Sequence, residues 1–182
     1  MLAFLVGGSA RAQSDDDDRT TPHRLRLRDG ISFISGFVDA PFRPIAPATT
    51  NVYMAEPTVL GVALRLGIQF TDQFAVFYQA TGTSFWMQWR NAFFVEWTPV
   101  DYFSVGVGPA VDLMTDIGTA NWSAGAALRL ALHVPFIRKP WGRRDSWTLG
   151  VDVTPAYAFT LEPGLADGFQ VGVMGSVGIE FY

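Results

Sequence analysis

The chain has 182 residues, 49% hydrophobic and 14% aromatic, with no cysteine and a formal charge of −4. This length suits one domain, and the missing cysteines exclude a disulfide framework and thiol chemistry. The charge equals the contribution of Asp15, Asp16, Asp17 and Asp18 alone, so the near-neutral remainder argues against nucleic-acid binding.

The first segment, residues 2–6, is a short apolar core, and Ala10-Arg11-Ala12 follows with the small-x-small form of a cleavage site. Residues 1–12 are therefore expected to be the end of a secretory signal. Residues 13–23, with their run of four aspartates, read as an acidic flexible tail. No glycine turn accompanies the acids at calcium-ligand spacing.

Beyond the tail the chain alternates with a period of two, the mark of a strand. Residues 24–38 form the first such segment, with Ile31, Phe33 and Phe37 on one face. Residues 39–57 carry four prolines and read as a long loop. Residues 59–70 set Leu60, Val62, Leu64, Leu66, Ile68 and Phe70 against Gly61, Ala63, Arg65, Gly67 and Gln69. A turn at 71–73 leads to a strand over 74–83, with Phe74, Val76 and Tyr78 on the apolar face. A short tip leads to residues 85–97, whose apolar face of Phe85, Met87, Trp89, Phe93, Val95 and Trp97 is broken by Asn91.

Residues 98–101 are expected to be a turn and residues 102–113 a strand with Phe103, Val105, Val107 and Val111 on the apolar side. A loop at 115–120 precedes the strand at 122–136, which opposes Trp122, Leu128, Leu130, Val134 and Phe136 to Ser123, Gly125, Arg129 and His133. A basic connection, 137–145, leads to a strand over 146–159 with Trp147, Leu149, Val151, Val153 and Tyr157 on the apolar face. A loop at 161–168 precedes the last strand, in which Phe169, Val171, Val173, Val177, Ile179 and Phe181 alternate with Gln170, Met174, Ser176 and Glu180.

These segments make about eight strands, each near the roughly 9–11 residues that cross a bilayer at a tilt. No apolar run approaches the roughly 18 residues of a membrane-spanning helix. The expected fold is all-β, an antiparallel up-and-down transmembrane β-barrel over residues 24–182, apolar outside and polar inside. The outward aromatics fall into two groups. Phe70, Phe74, Trp97, Phe103, Phe136, Trp147 and Phe181 lie at the short-turn end. Phe37, Phe85, Trp122, Tyr157 and Phe169 lie at the loop end. Two such belts match the two lipid–water interfaces.

The inward face carries Arg65, Arg90 and Arg129 against Glu96, Asp112, Asp152 and Glu180. An eight-stranded barrel is only wide enough for side chains to fill it, and buried charges must pair or be hydrated. The expectation is a charge network that plugs the lumen. Arg26 and Arg28 are placed to meet Glu180 across the seam between the first and last strands. The interior is otherwise expected to hold Gly, Ala, Ser and Thr, with Gly106 and Gly108 as spacers in a strand. His133 is expected to be a hydrogen-bonded lumen residue. No cofactor or metal set stands out, since two histidines are poor stock for a metal site.

The segment from Phe94 to Gly108, FVEWTPVDYFSVGVG, resembles a strand–turn–strand of the small outer-membrane β-barrel proteins of Gram-negative bacteria. The ending Gly178-Ile179-Glu180-Phe181-Tyr182 resembles their C-terminal assembly signal, although here Tyr182 follows the in-phase aromatic Phe181. The likeness, one of architecture, covers residues 24–182. It is similar to the eight-stranded group that includes the membrane domain of outer membrane protein A. It implies the bacterial outer membrane as location, membrane lipid as surroundings and the barrel-assembly machinery as a partner of the last strand. The loop 39–57 is the candidate contact for an extracellular partner. The leading functional expectation is a non-enzymatic structural or interaction protein of the envelope. A small-solute or ion pore is the alternative, and a lipid-modifying enzyme the third reading.

Overall fold

The structure is a computed structural model that describes residues 25–38, 43–44, 56–83, 87–116, 119–138, 144–159 and 165–181. The expected signal segment and acidic tail lie outside the described residues, as do Phe85, the tip at 84–86 and most of loop 39–57.

The described residues form ten strands: β1 (Arg26–Val38), β2 (Arg43–Pro44), β3 (Glu56–Gln69), β4 (Phe74–Thr83), β5 (Met87–Val100), β6 (Phe103–Asp116), β7 (Thr119–Arg138), β8 (Arg144–Phe159), β9 (Leu165–Ala166) and β10 (Gly168–Phe181). Eight close into an antiparallel barrel in the order β1-β10-β8-β7-β6-β5-β4-β3. The barrel shuts where β1 meets β10, from Asp29 opposite Phe181 to Val38 opposite Gly172. The remaining two, β2 and β9, pair as a two-residue ribbon. That ribbon ties the connection after β1 to the connection after β8, two segments that the sequence shows only as separate Pro- and Gly-containing loops.

The barrel strands match the alternation, with different ends. Residues 98–101 were expected to be a turn, but β5 runs through Val100, and the turn sits at Asp101 and Tyr102. Pro99 is accommodated by an irregularity between Trp97 and Val100, where the ladder to β6 shifts register. The expected loop at 115–120 shrinks, because β6 and β7 stay paired out to Asp116 and Thr119.

The pairing also fixes the barrel's shape. One circuit of paired residues starts at Leu27 and passes through Ile68, Val76, Val95, Val107, Leu128, Val153 and Val173. It returns to β1 at Phe37, ten residues further on. An even stagger is required, since an odd one would turn an outward residue inward at the seam. Every residue on this circuit is apolar and on the outer face. Eight strands with this stagger tilt by about 40° and give a backbone radius of about 8 Å. Side chains from opposite walls therefore meet at the axis.

With this tilt, the lower belt (Phe70, Phe74, Trp97, Phe103, Phe136, Trp147, Phe181) and the upper belt (Phe37, Trp122, Tyr157, Phe169) lie about 25–30 Å apart along the barrel axis. The wall between them is largely apolar on the outside: Leu64, Leu66 and Val107 are each more than half exposed, and the exposed polar residues Ser35 and Asn91 interrupt it.

Closing the seam depends on a missing side chain. Gly178 of β10 faces inward beside β1, and a Cβ there would strike the Ile31 carbonyl and the Ser32 hydroxyl. Gly178→Ala is predicted to lower barrel stability by roughly 1–2 kcal/mol through overpacking. Urea titration of the detergent-folded protein reads this, and an unchanged midpoint would show that the seam can yield.

Candidate functional site in the barrel lumen

The lumen holds two charge clusters stacked along the axis. The larger, nearer the short-turn end, draws polar side chains from seven of the eight barrel strands, all but β6. Glu180 of β10 is its hub: Arg28 of β1 donates to its Oε2. Arg65 of β3 and Arg129 of β7 each donate to its Oε1, at 2.9 Å. Arg28 also donates to Glu96 of β5. Arg129 adds Asp152 of β8 at 3.3 Å and faces Glu96 Oε2 at 3.9 Å. Gln79 of β4 bridges the set, accepting from Arg65 Nε at 2.8 Å and donating to Asp152 Oδ2 at 2.9 Å. Ser32 accepts a further bond from Arg65 at 2.8 Å.

Three arginines thus face three carboxylates with no net charge. Arg129, Glu96 and Glu180 have no solvent-exposed surface. Such a set is costly to desolvate and is held together by Glu180, which three arginines oppose, and by Arg129, which faces three carboxylates, while Arg65 and Asp152 each have one opposite charge and neutral partners besides. The convergence on one residue follows from the stagger. Residues far apart in sequence, such as Arg28 and Glu180, come level where β1 meets β10.

The smaller cluster lies toward the loop end. Arg90 grips Asp112 with two bonds, Nε to Oδ1 at 2.6 Å and Nη2 to Oδ2 at 3.1 Å. The two residues are opposite one another on β5 and β6. Ser123 donates to Asp112 at 3.2 Å, and Gln170 donates to Ser123 at 2.6 Å. The planar fork of arginine suits this two-point contact with a carboxylate.

All seven charged residues singled out in the sequence point into the lumen, but they form two groups rather than one. Arg28 joins the larger group. Arg26 does not reach Glu180 and pairs instead with Asp72 at 3.1 Å, at the barrel rim.

The lumen lining corrects one expectation: it is not made only of small and polar groups. Phe77 and Phe94 lie inside, stacked at 5.0 Å between ring centroids. With Ala92, Ala110 and Ala127 they form an apolar wall. Ile34, Ala63 and Met174 make a second apolar patch. The Arg28 guanidinium lies over the Phe77 ring at 5.3 Å, a cation–π contact. The signal was available, since Phe77 alternates in phase with Ala75 and Gln79, and Phe94 with Ala92 and Glu96. Phenylalanine looks like an outward residue by type, and only its phase shows that it is not.

His133 and Ser104 were not linked by sequence. The structure sets His133 Nε2 2.8 Å from Ser104 Oγ, with Glu180 Oε2 3.9 Å from Nδ1 and Thr148 Oγ1 at 3.5 Å. A hydroxyl, an imidazole and a carboxylate in this order have the makings of a nucleophile triad. Two facts count against that role: Ser104 is wholly buried, and the carboxylate is beyond hydrogen-bond distance of the ring. The contact fastens β6 to β7 at the end of the charge cluster. Among the described residues no group of three or more His, Cys, Asp or Glu side chains is arranged to hold a metal ion.

No family model, curated protein or solved structure matches the chain.

Proposed function

We propose that this chain is a non-enzymatic barrel of the bacterial outer membrane with a structural or interaction role in the envelope, its lumen closed by an electrostatic plug. The observation that carries the plug is the charge-balanced network around Glu180, which takes side chains from seven of the eight barrel strands and leaves its core members without solvent contact. A transport path needs sites that bind weakly enough to release. Here the arginines and carboxylates bond one another across the lumen, although Arg65 Nη2, Glu96 Oε2 and Arg129 Nε have no hydrogen-bond partner among the described residues.

The location is supported from outside. Soluble monomers rarely expose contiguous apolar patches beyond a few hundred Å². This barrel exposes apolar side chains all round, between aromatic belts spaced to fit a hydrocarbon core of about 25–30 Å. In that setting lipid contacts the wall. The barrel-assembly machinery is the proposed partner of β10, and residues 39–57 are the proposed contact for an extracellular partner.

Planar bilayers test the plug. The purified protein is expected to show no steady single-channel conductance, while staying membrane-bound through a carbonate wash and migrating differently on gels before and after boiling. A steady conductance abolished by altering Arg65 or Arg129 would establish the pore instead.

A further inference from the structure

Asn91 breaks the apolar outer row of β5 near mid-height. It is an exposed outward residue of β5, in the row that also holds Trp89, Phe93, Val95 and Trp97. The strand tilt puts it within about 5 Å of the midpoint between the two aromatic belts. Tyr78 of β4 donates its hydroxyl hydrogen bond to Asn91 Oδ1, and the Tyr78 ring packs on Phe93 at 5.1 Å. Among the described residues nothing bonds the amide nitrogen. Whichever way the amide is turned, one hydroxyl cannot satisfy both ends of a carboxamide.

In hydrocarbon an unmet amide is costly, and no lipid headgroup reaches that depth. The missing partner must therefore be a protein group at the same depth. The backbone of a closed barrel has its bonds committed within its own sheet, so the group must be a polar side chain on another apolar wall. A second copy of this chain supplies one. Under a two-fold axis along the membrane normal, the two Asn91 carboxamides arrive at equal height, and each can donate to the other. The relief of the wall also allows close approach, since Ala80, Pro109 and Ala126 lie at nearly the same level on β4, β6 and β7. Small side chains let membrane-embedded surfaces pack closely.

We propose that the barrel forms a two-fold dimer in the membrane with Asn91 paired to its copy at the centre of the seam. The proposal rests on the membrane reading given above. Sedimentation in density-matched micelles is expected to show a reversible dimer whose dissociation constant rises about tenfold in Asn91→Ala. Val173→Ala, on the opposite wall four strands away, leaves it unchanged. The chain has no cysteine of its own. Oxidation of vesicle-embedded Asn91→Cys should therefore give a cross-linked dimer, and Val173→Cys should not. A heat-shifted, carbonate-resistant protein that remains monomeric in micelles and vesicles overturns the dimer and leaves the membrane reading intact. A dimer indifferent to Asn91→Ala, or trapped by Val173→Cys, overturns this seam. A chain that fails to insert into vesicles overturns the membrane reading, and the dimer with it.

Discussion

Glu180→Ala is expected to destabilise the barrel by about 3–5 kcal/mol, more than any other single removal of a lumen charge. Glu180 accepts bonds from Arg28, Arg65 and Arg129 at once. Without it the larger cluster has three arginines and two carboxylates, and Arg65 keeps only the neutral Ser32 and Gln79 among its bonded partners. Asp152→Ala should cost less, because Asp152 holds one arginine at 3.3 Å and one amide at 2.9 Å. Glu180→Gln should fall between the two, since the amide keeps an acceptor and loses the charge. The measurement is the urea midpoint of reversible folding into lipid vesicles. A double variant, Glu180→Ala with Arg65→Met, restores charge balance and should cost less than the sum of its parts, as a coupled pair requires. A Glu180→Ala unfolding free energy within about 1 kcal/mol of the parent would show that water already carries these charges, and the plug would lose its energetic basis.

What the sequence discloses about this barrel divides along one physical line. The period of two is a property of the strand itself, so it assigned Leu64 outward and Arg65 inward without any knowledge of neighbours. The stagger belongs to the closed sheet. It decides which inward residues become level, so the meeting of Arg28, Arg65 and Arg129 at Glu180 and the separation of Arg90 with Asp112 could not be read strand by strand. Arg26 shows the same limit: its phase suits Glu180, and its height at the rim gives it Asp72. Phe77 and Phe94 are a different case: no outward row includes them, yet the interior was expected to hold only Gly, Ala, Ser, Thr and charges. The lumen has room for both rings because Ala92, Ala110 and Ala127 cluster with them. The strand ends near 98–101 and 115–120 were misjudged because Pro99 and the small polar residues are turn-formers by local chemistry, whereas pairing with an adjacent long strand overrides that preference. Asn91 was visible as a break in the apolar row, and its meaning came only with the height that the stagger assigns to it.

The second large effect is expected at Leu64. This side chain is 55% exposed on β3, near the midpoint between the aromatic belts, and its chain neighbour Ala63 has no exposed surface and packs against Ile34 and Met174. In a bilayer an arginine at mid-depth on the lipid face costs roughly 2–4 kcal/mol. Leu64→Arg should accordingly lower the unfolding free energy of vesicle-folded protein, read by urea titration, by that amount, and Leu130→Arg, at similar height on β7, should behave alike. Ala63→Ser adds one hydroxyl to a lumen that already contains polar partners, and should cost no more than about 1 kcal/mol. The contrast matters because the same exposed position on a soluble protein would accept arginine within about 0.5 kcal/mol. Depth supplies a further check: Phe136→Arg, in the lower belt, should cost less than Leu64→Arg for its charge, since a headgroup-level arginine stays hydrated. If Leu64→Arg and Ala63→Ser are tolerated equally, lipid does not touch the outer wall, and the barrel's apolar exterior must be covered by something other than a membrane.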